Sequence, residues 1–163
     1  MKTLTSERLR AALRYEPETG LFVWVNPPGE HARLAGYVAG GISTGYVLIK
    51  IDGRKYRAHH LAWLYTHGEW PSMEIDHANG CPLDNRISNL RLATNPQNQA
   101  NRRRDRAKST PKGVKALPSG RFAARITVNK KLIHLGVFAT EDQAQTAYLS
   151  ASKSHYGEFA RAA

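Results

Sequence analysis

The stretch that decides the fold runs from residue 75 to residue 101 and has the sequence IDHANGCPLDNRISNLRLATNPQNQAN. It places Asp76 and His77 after a short apolar segment, Asn89 twelve positions beyond His77 (89 − 77) and Asn98 twenty-one positions beyond it (98 − 77). A neutral imidazole is well suited to take a proton from water near pH 7. Carboxylate and amide oxygens suit a hard divalent cation. Hydrolysis of a phosphodiester needs these residue types.

The same stretch predicts a strand, a polar loop, a second strand and a helix. Apolar residues at positions 87, 90 and 92 indicate the strand that leads into the helix. Asn95 suits the N-cap and Pro96 the first helical position, so Asn98 falls in the first turn. His77 then lies on the first strand and Asn98 near the helix N-terminus, which favours phosphate.

The motifs DHANG, DNRISNLR and NPQN resemble those of the HNH endonuclease family, in particular the zinc-free subgroup of phage and intron-encoded homing and nicking enzymes. The resemblance implies an α+β protein with a ββα-metal (His-Me finger) core. It implies that His77 is the general base, that Asp76 and Asn98 bind one Mg²⁺ or Mn²⁺, and that Asn89 orients the histidine loop. Asn98 stands where the family name has its last histidine. Alternatively, Asp-His is a chance dipeptide and the asparagines form turns.

The composition favours a polyanionic partner. The chain has 163 residues, with 24 Lys+Arg against 13 Asp+Glu, a formal net charge of +11 and a pI of about 10.1. Nucleic acid is the first candidate and a membrane surface the second, but no apolar run approaches the ~18 residues of a spanning helix. The N-terminus lacks a signal-peptide core, and the single cysteine, Cys81, cannot form an internal disulfide. We therefore expect a cytoplasmic protein of a bacterium or phage-infected cell, not secreted and without structural zinc.

Residues 1–72 predict a small α+β module that supports the catalytic unit. Asp52-Gly53 is the strongest hairpin signal in the chain. In chain order, the expected elements are a helix capped by Thr5 or Ser6, a strand at 21–25, a glycine-rich loop at 29–45, strands at 46–51 and 55–58, and a helix at 60–67 closed by Trp70-Pro71.

Two features of this module leave alternatives open. His59 and His60 suggest a metal site, but adjacent histidines do not easily face one ion, so packing with a backbone hydrogen bond is favoured. The basic residues of the hairpin either contact phosphate or are only solvated, and they are Lys50, Arg54, Lys55 and Arg57.

Residues 102–115, RRRDRAKSTPKGVK, contain seven basic residues and one acid. Such a block is typical of a solvated linker. In a protein suspected of cutting DNA, we expect it to continue the catalytic helix and to contact phosphates through Arg102, Arg103 and Arg104. Ser109-Thr110-Pro111 indicates a domain boundary. The predicted domains are the N-terminal module 1–72, the HNH unit 73–104, a basic linker 105–111 and a C-terminal domain 112–163.

The C-terminal domain predicts a three-stranded antiparallel sheet packed on one helix. Strands are expected at 113–117, 121–128 and 132–138. A capping box of Thr140 and Gln143 starts the helix. Strand alternation directs Phe122, Ala124 and Ile126 toward that helix and leaves the opposite face open, with the side chains of Arg121, Arg125 and Thr127.

This segment resembles the ERF/APETALA-type DNA-binding domain over its full length, in the motifs GV, SGRFAA, LGVF, T-E and A-x-x-A-Y. In that family the sheet contacts the major groove of duplex DNA. By position, the resemblance implicates Lys112, Lys115, Arg121, Arg125, Thr127 and His134. The chain departs from the plant members, which usually carry arginine or tryptophan, at Leu117, Ser119, Leu132 and His134. The target site therefore does not carry over, and a unit that only packs on its neighbours is the alternative.

Together these features predict a metal-dependent HNH endonuclease of the homing or nicking type that acts on double-stranded DNA. A monomer should nick, because one such site cuts one strand. Cutting both strands would need a dimer or a second event. A DNA-binding regulator that does not cleave is the alternative, and an RNA nuclease is a third possibility.

Overall fold

The computed structural model describes residues 4–102 and 110–161, without the side chains of residues 30 and 31. Its contacts divide the chain into two compact units, Met1–Leu92 and Ala93–Ala163. This division does not coincide with the predicted boundaries after residues 72, 104 and 111. The mixture of helices and sheets confirms the predicted α+β class. Within the described residues, no helix has the length and hydrophobicity needed to span a bilayer.

The first unit opens with a capped helix and a hairpin. Helix α1 is Ser6–Ala12, and Thr5 caps it by accepting a hydrogen bond from the Arg8 backbone N–H at 3.2 Å. Strand β1, Leu13–Glu16, pairs antiparallel with β2, Leu21–Trp24. The sequence did not predict β1, because its first residue continues the apolar face of α1.

The centre of the first unit is a three-stranded sheet and a helix. The glycine-rich segment expected as a loop contains a 3₁₀ helix and the first of these strands. Asp52 and Gly53 have positive φ values of 49° and 80°, the conformation of a two-residue hairpin turn. Gly68, in the left-handed conformation, ends the helix before the predicted Trp70-Pro71. The elements are β3 (Gly41–Ser43), β4 (Tyr46–Ile51), β5 (Arg54–Arg57) and α2 (Ala58–His67).

A hydrophobic core joins these elements within the first unit. α1, the β1–β2 hairpin, β4 and α2 each contribute fully buried side chains. Burial of such a side chain stabilises the fold by about 1.5–3 kcal/mol. The largest are Leu9, Leu13, Phe22, Ile49, Ile51, Leu61 and Leu64.

The predicted catalytic segment forms two strands and a helix. β6, Glu74–His77, and β7, Leu90–Ala93, make a two-stranded sheet, and a 3₁₀ turn at Ile87–Asn89 precedes β7. His77 is the last residue of β6, as expected. Helix α3, Asn95–Asn101, follows β7 in sequence and is grouped with the second unit.

Both ends of α3 differ from the prediction. Its N-cap is Thr94, whose backbone N–H donates to Oε1 of Gln97 at 2.8 Å, so Asn95 is the first helical residue. The helix does not continue into the basic stretch, because Arg102 is extended, with φ −62° and ψ 130°. Arg103 and Arg104 lie outside the described residues.

The second unit confirms the predicted sheet and helix. Its elements are β8 (Val114–Ala116), β9 (Phe122–Val128), β10 (Lys131–Phe138) and α4 (Glu141–Tyr156). The strands pair antiparallel in the order β10-β9-β8, and α4 packs on the sheet. Thr140 caps α4 by accepting from the Gln143 backbone N–H at 3.3 Å. Val114, Ala124 and Ala144 form the buried centre.

Candidate active site and DNA-binding face

The side chain of His77 is buried at the end of β6. Its Nε2 lies 3.5 Å from Oδ1 of Asn85, a long hydrogen bond of the kind that tightens when substrate binds. Burial lowers the pKa of His77, while Asn85, Asp76 and Asp84 oppose this shift. Because burial is the largest effect, the imidazole is neutral at pH 7. A neutral imidazole can accept a proton from water.

Asn89 fixes the shape of the loop that follows His77. Its Oδ1 accepts from the backbone N–H of Asn79 at 2.9 Å, and its Nδ2 donates to the carbonyl oxygen of Asp84 at 2.8 Å. The backbone N–H of Ala78 donates to the Asn89 carbonyl at 2.9 Å. One side chain therefore joins two distant points of the loop. The predicted hydrogen bond from Asn89 to His77 itself stays a prediction.

The same loop contains a charged pair that the sequence did not single out. Nη2 and Nε of Arg86 donate to the Asp84 carboxylate at 2.6 and 2.8 Å, and Nδ2 of Asn79 donates to it at 2.6 Å. The hydrogen bonds from Arg86 are the largest cause lowering the pKa of Asp84 to about 2. The carboxylate stays ionised, and its hydrogen bonds join Asn79 and Arg86 within the loop that contains Asn85. The only sequence signal for these residues is their place in the motif DNRISNLR.

The β1–β2 hairpin supports the backbone of Asn85. The hydroxyl of Tyr15 donates to the Asn85 carbonyl oxygen at 2.7 Å. At the hairpin turn, a Cβ on Gly20 would lie 2.5 Å from the backbone N of Arg86 and 2.6 Å from the carbonyl C of Asn85. Only glycine fits this approach. The backbone of the residue beside His77 is thus supported by an element seventy positions away in sequence.

Two other histidine rings form a cluster with that of the candidate base, His77. The ring of His59 is edge-on to those of His77 and His60, with centroids 4.8 and 4.5 Å apart. Burial is the main cause lowering the pKa of His59 to about 3. Its Nδ1 is buried and has no hydrogen-bond partner among the described residues, so this nitrogen makes no backbone hydrogen bond of the kind expected. Packing is the observed role of His59.

The ring of Tyr46 lies next to this cluster. Its centroid is 5.5 Å from that of His59 and 6.5 Å from that of His77, and the Arg57 guanidinium lies 4.6 Å from it.

In the described ranges, no group of three or more His, Cys, Asp or Glu side chains is arranged to hold a metal. Cys81 is exposed.

Asp76 is paired with an arginine that the sequence did not single out. The carboxylate, with 5% of its side chain exposed, has Nε and Nη2 of Arg91 at 2.9 Å from Oδ2. A carboxylate has about four acceptor positions, so this pairing uses part of its capacity. Asn98 lies on α3 of the second unit and is half-buried. The donor types, one carboxylate and one amide oxygen, fit a hard divalent cation that keeps open coordination positions.

Four predicted DNA-binding residues share the face of the C-terminal sheet opposite α4. Arg125 and Thr127 are exposed on β9, between buried residues that face the helix. His134 lies opposite Arg125 in β10, and Lys115 of β8 lies opposite Ala123. Cross-strand partners lie on the same face of a sheet, so all four belong to this surface, the sheet face. The exposed residues on it include Lys115, Arg125, Thr127, Leu132, His134 and Val137.

The remaining predicted DNA contacts lie elsewhere. Arg121 precedes β9, and its Nη2 donates to the carbonyl oxygen of Val137 at 3.1 Å. Arg102 is exposed at the end of α3. The Nζ of Lys112 donates to three backbone carbonyl oxygens at the end of α3. Burial, followed by the charge of Arg102, lowers the pKa of Lys112.

The segment with the buried histidine runs in sequence as strand, loop, strand and helix, and it also matches a known family. Residues 56–100 match the family model described as HNH endonuclease. This matched segment contains all four residues predicted to cut and to bind metal.

One relative comes from a giant virus. It is named an uncharacterized HNH endonuclease of Acanthamoeba polyphaga mimivirus, and it is 32% identical over 114 residues, covering 69% of this chain and 59% of that protein. The chain thus spans less than two thirds of that relative. No solved structure matches the chain. The zinc-free subgroup and the ERF/APETALA-type domain stay predictions.

Proposed function

We propose that this protein is a metal-dependent endonuclease of the homing or nicking type that hydrolyses phosphodiester bonds in double-stranded DNA. The observation that carries the proposal is His77, a buried and neutral imidazole beside Asp76 within the matched HNH segment. Such a residue suits general base catalysis near neutral pH.

In the reaction, His77 accepts the proton of the water that attacks the phosphorus. Asn89 keeps the loop behind His77 in one shape, since it binds Asn79 and Asp84. Asp76 and Asn98 would hold one Mg²⁺ or Mn²⁺, which neutralises charge on the phosphate and on the departing oxygen. The bond between phosphorus and the leaving oxygen breaks as the bond to water forms.

The sheet face would hold the enzyme on duplex DNA. The net charge of +11 and the exposed side chains of Lys115, Arg125 and His134 favour a polyanion. Arg102, Arg103 and Arg104 would add phosphate contacts. One catalytic site per chain leads us to expect a monomer that nicks one strand. The protein would act in the cytoplasm of a bacterium or of a phage-infected cell.

Nicking of supercoiled plasmid tests the proposal. With Mg²⁺ or Mn²⁺ the wild-type protein should convert supercoiled plasmid to open circles, and EDTA should stop it. His77→Ala and Asn98→Ala should each lower the rate by at least about 100-fold, whereas His155→Ala, at an exposed histidine of α4, should not. Equal nicking by His77→Ala would reject the base, and activity in EDTA would reject the metal.

A regulator that binds DNA without cutting is the second candidate. The observation that favours it is the sheet face, because its exposed basic residues lie on a unit that does not contain His77. This function predicts a DNA complex in a mobility-shift assay with no metal-dependent nicking. RNA added to the same assay as a competitor would separate an RNA nuclease, which should bind the RNA in place of the DNA, from the DNA endonuclease and the DNA-binding regulator.

A further inference from the structure

The ammonium group of Lys112 binds the C-terminal end of α3. Its Nζ donates to the carbonyl oxygens of Gln99 at 2.8 Å, Ala100 at 2.6 Å and Arg102 at 3.1 Å. An ammonium has three donors, and here each has an acceptor. The last carbonyls of a helix lack partners within it, and the helix dipole also favours a cation there. Lys112 therefore caps a helix whose last residue is Asn101.

Helix α3 needs such a contact to hold its position. It has seven residues, of which Ala100 and Asn101 are buried. Isolated helices shorter than about 12–15 residues are marginal in water. A cleft of about 420 Å³, lined by residues of α3 and β9 among others, separates part of the helix from the sheet. Helix α3 also contacts α4 and the 3₁₀ turn Gly157–Phe159, and the cap adds a contact between its C-terminal end and the segment that leads into β8.

The backbone next to Lys112 is in turn fixed to the sheet. The carbonyl oxygen of Gly113 accepts from the backbone N–H of Arg125 in β9 at 2.9 Å. A Cβ on Gly113 would overlap the ring of Tyr148, so the chain passes against α4 at this point. The buried Val114 follows as the first residue of β8. A continuous set of contacts thus runs from α3 through Lys112 to β9.

We propose that Lys112 is a positioning residue that fixes α3, and with it Asn98, to the sheet that would bind DNA. The proposal rests on the proposed function, in which Asn98 holds the catalytic metal. The Lys112 hydrogen bonds, and not only the length of segment 103–109, then set where Asn98 lies relative to the sheet. This role differs from the phosphate contact that the position of Lys112 in sequence had suggested.

A pair of lysine variants separates the two roles. On a DNA site selected from a random library, Lys112→Gln should keep the wild-type salt dependence of binding but nick at several neighbouring phosphates. Lys115→Gln, on the sheet face, should lower the slope of log K against log salt by about one unit and nick at the wild-type position. A lowered slope and a single unchanged nick in Lys112→Gln would overturn the proposal.

An insertion tests the same idea by changing the chain length. Two residues, Gly-Ser, inserted between residues 106 and 107 should leave the nick where it is in the wild-type background. The same insertion in Lys112→Gln should move or spread the nick, because α3 then keeps only its chain connection and its contacts with α4 and the 3₁₀ turn Gly157–Phe159. A nick that moves in the wild-type background would overturn the proposal.

Hydrogen exchange gives a result that does not depend on cleavage. Amides of residues 98–102 should exchange about tenfold faster in Lys112→Gln, the effect of losing roughly one hydrogen bond, and at the wild-type rate in Lys115→Gln. Unchanged exchange in Lys112→Gln would refute the role of Lys112. A wild-type protein that never nicks would instead refute the proposed function.

Discussion

Replacing Gly20 by alanine should disturb the candidate active site from a distance. Gly20 lies at the turn of the β1–β2 hairpin with φ 73°, and its missing Cβ makes room for the backbone of Asn85 and Arg86. Asn85 is the residue whose Oδ1 lies 3.5 Å from Nε2 of His77. A methyl group at position 20 must therefore move either the hairpin or the loop that holds the base.

The size of the effect follows from two contributions. A non-glycine residue at positive φ costs about 1–2 kcal/mol. The added Cβ would sit 2.5–2.6 Å from backbone atoms of Arg86 and Asn85, where ordinary contacts are 3.4–4 Å. Backbone atoms cannot rotate away, and overpacking of this kind costs about 1–3 kcal/mol. We expect Gly20→Ala to lose roughly 2–5 kcal/mol of unfolding free energy.

Gly53→Ala is the matched control. Gly53 also has a positive φ, 80°, but a Cβ there meets no atom within 4 Å. It should lose only the backbone contribution of about 1–2 kcal/mol and keep the wild-type kcat for nicking. Urea unfolding and single-turnover nicking of both variants measure the difference. If Gly20→Ala matches Gly53→Ala in stability and in kcat, the close approach does not support the loop.

Two further predictions concern His59 and Asn89. His59 has a pKa of about 3 in the folded protein, against an ordinary value of 6.5. Between pH 7 and pH 5 the unfolded chain therefore binds a proton at His59 that the folded protein does not, and the free energy of unfolding should fall by about 2 kcal/mol. In acid unfolding curves, His59→Phe should remove this part of the pH dependence, and the variant of an exposed histidine, His155→Phe, should not. Asn89→Ala leaves two backbone partners in the loop unpaired, so the free energy of unfolding should fall by roughly 1–3 kcal/mol and kcat should also fall. The control Asn26→Ala loses one exposed hydrogen bond to Ala11 and should keep the wild-type kcat in the plasmid assay.

Local signals explain what the sequence could predict of the fold. Asp52-Gly53 and the Thr140 cap each specify a turn or a helix start within four residues, and both were predicted correctly. Strand alternation in β9 likewise placed Arg125 and Thr127 on one face, because a period of two needs no distant partner. The cap of α3 was misplaced by one residue, since Thr94 and Asn95 both suit an N-cap.

Contacts between distant residues explain what the sequence could not predict of the site. Asn85 is supported by Tyr15 across seventy positions, and a tyrosine in an N-terminal hairpin gives no local sign of that bond. Lys112 was predicted as a DNA contact by its position in the segment that resembles the ERF/APETALA-type domain. Its three carbonyl partners belong to a helix end that no sequence pattern connects to it.

The ion pair of Asp76 with Arg91 leads to a last prediction, on how metal binding should change stability. A buried carboxylate requires a cationic partner, and removing that partner typically costs about 3–5 kcal/mol. Arg91 supplies this charge from β7, next to the strand that carries Asp76 and His77. Without divalent metal, Arg91→Gln should therefore be strongly destabilised, because the buried Asp76 side chain loses its guanidinium partner.

A divalent cation bound at Asp76 would replace part of that lost charge. Millimolar Mg²⁺ or Mn²⁺ should therefore raise the Tm of Arg91→Gln by more than it raises the Tm of the wild-type protein, since ligand binding to the folded state stabilises it. Arg86→Gln, which loses an ion pair with Asp84 in the same unit, is the matched control and should respond to metal like the wild type. If Arg91→Gln and the wild type show equal Tm shifts with metal, Asp76 is not the metal ligand.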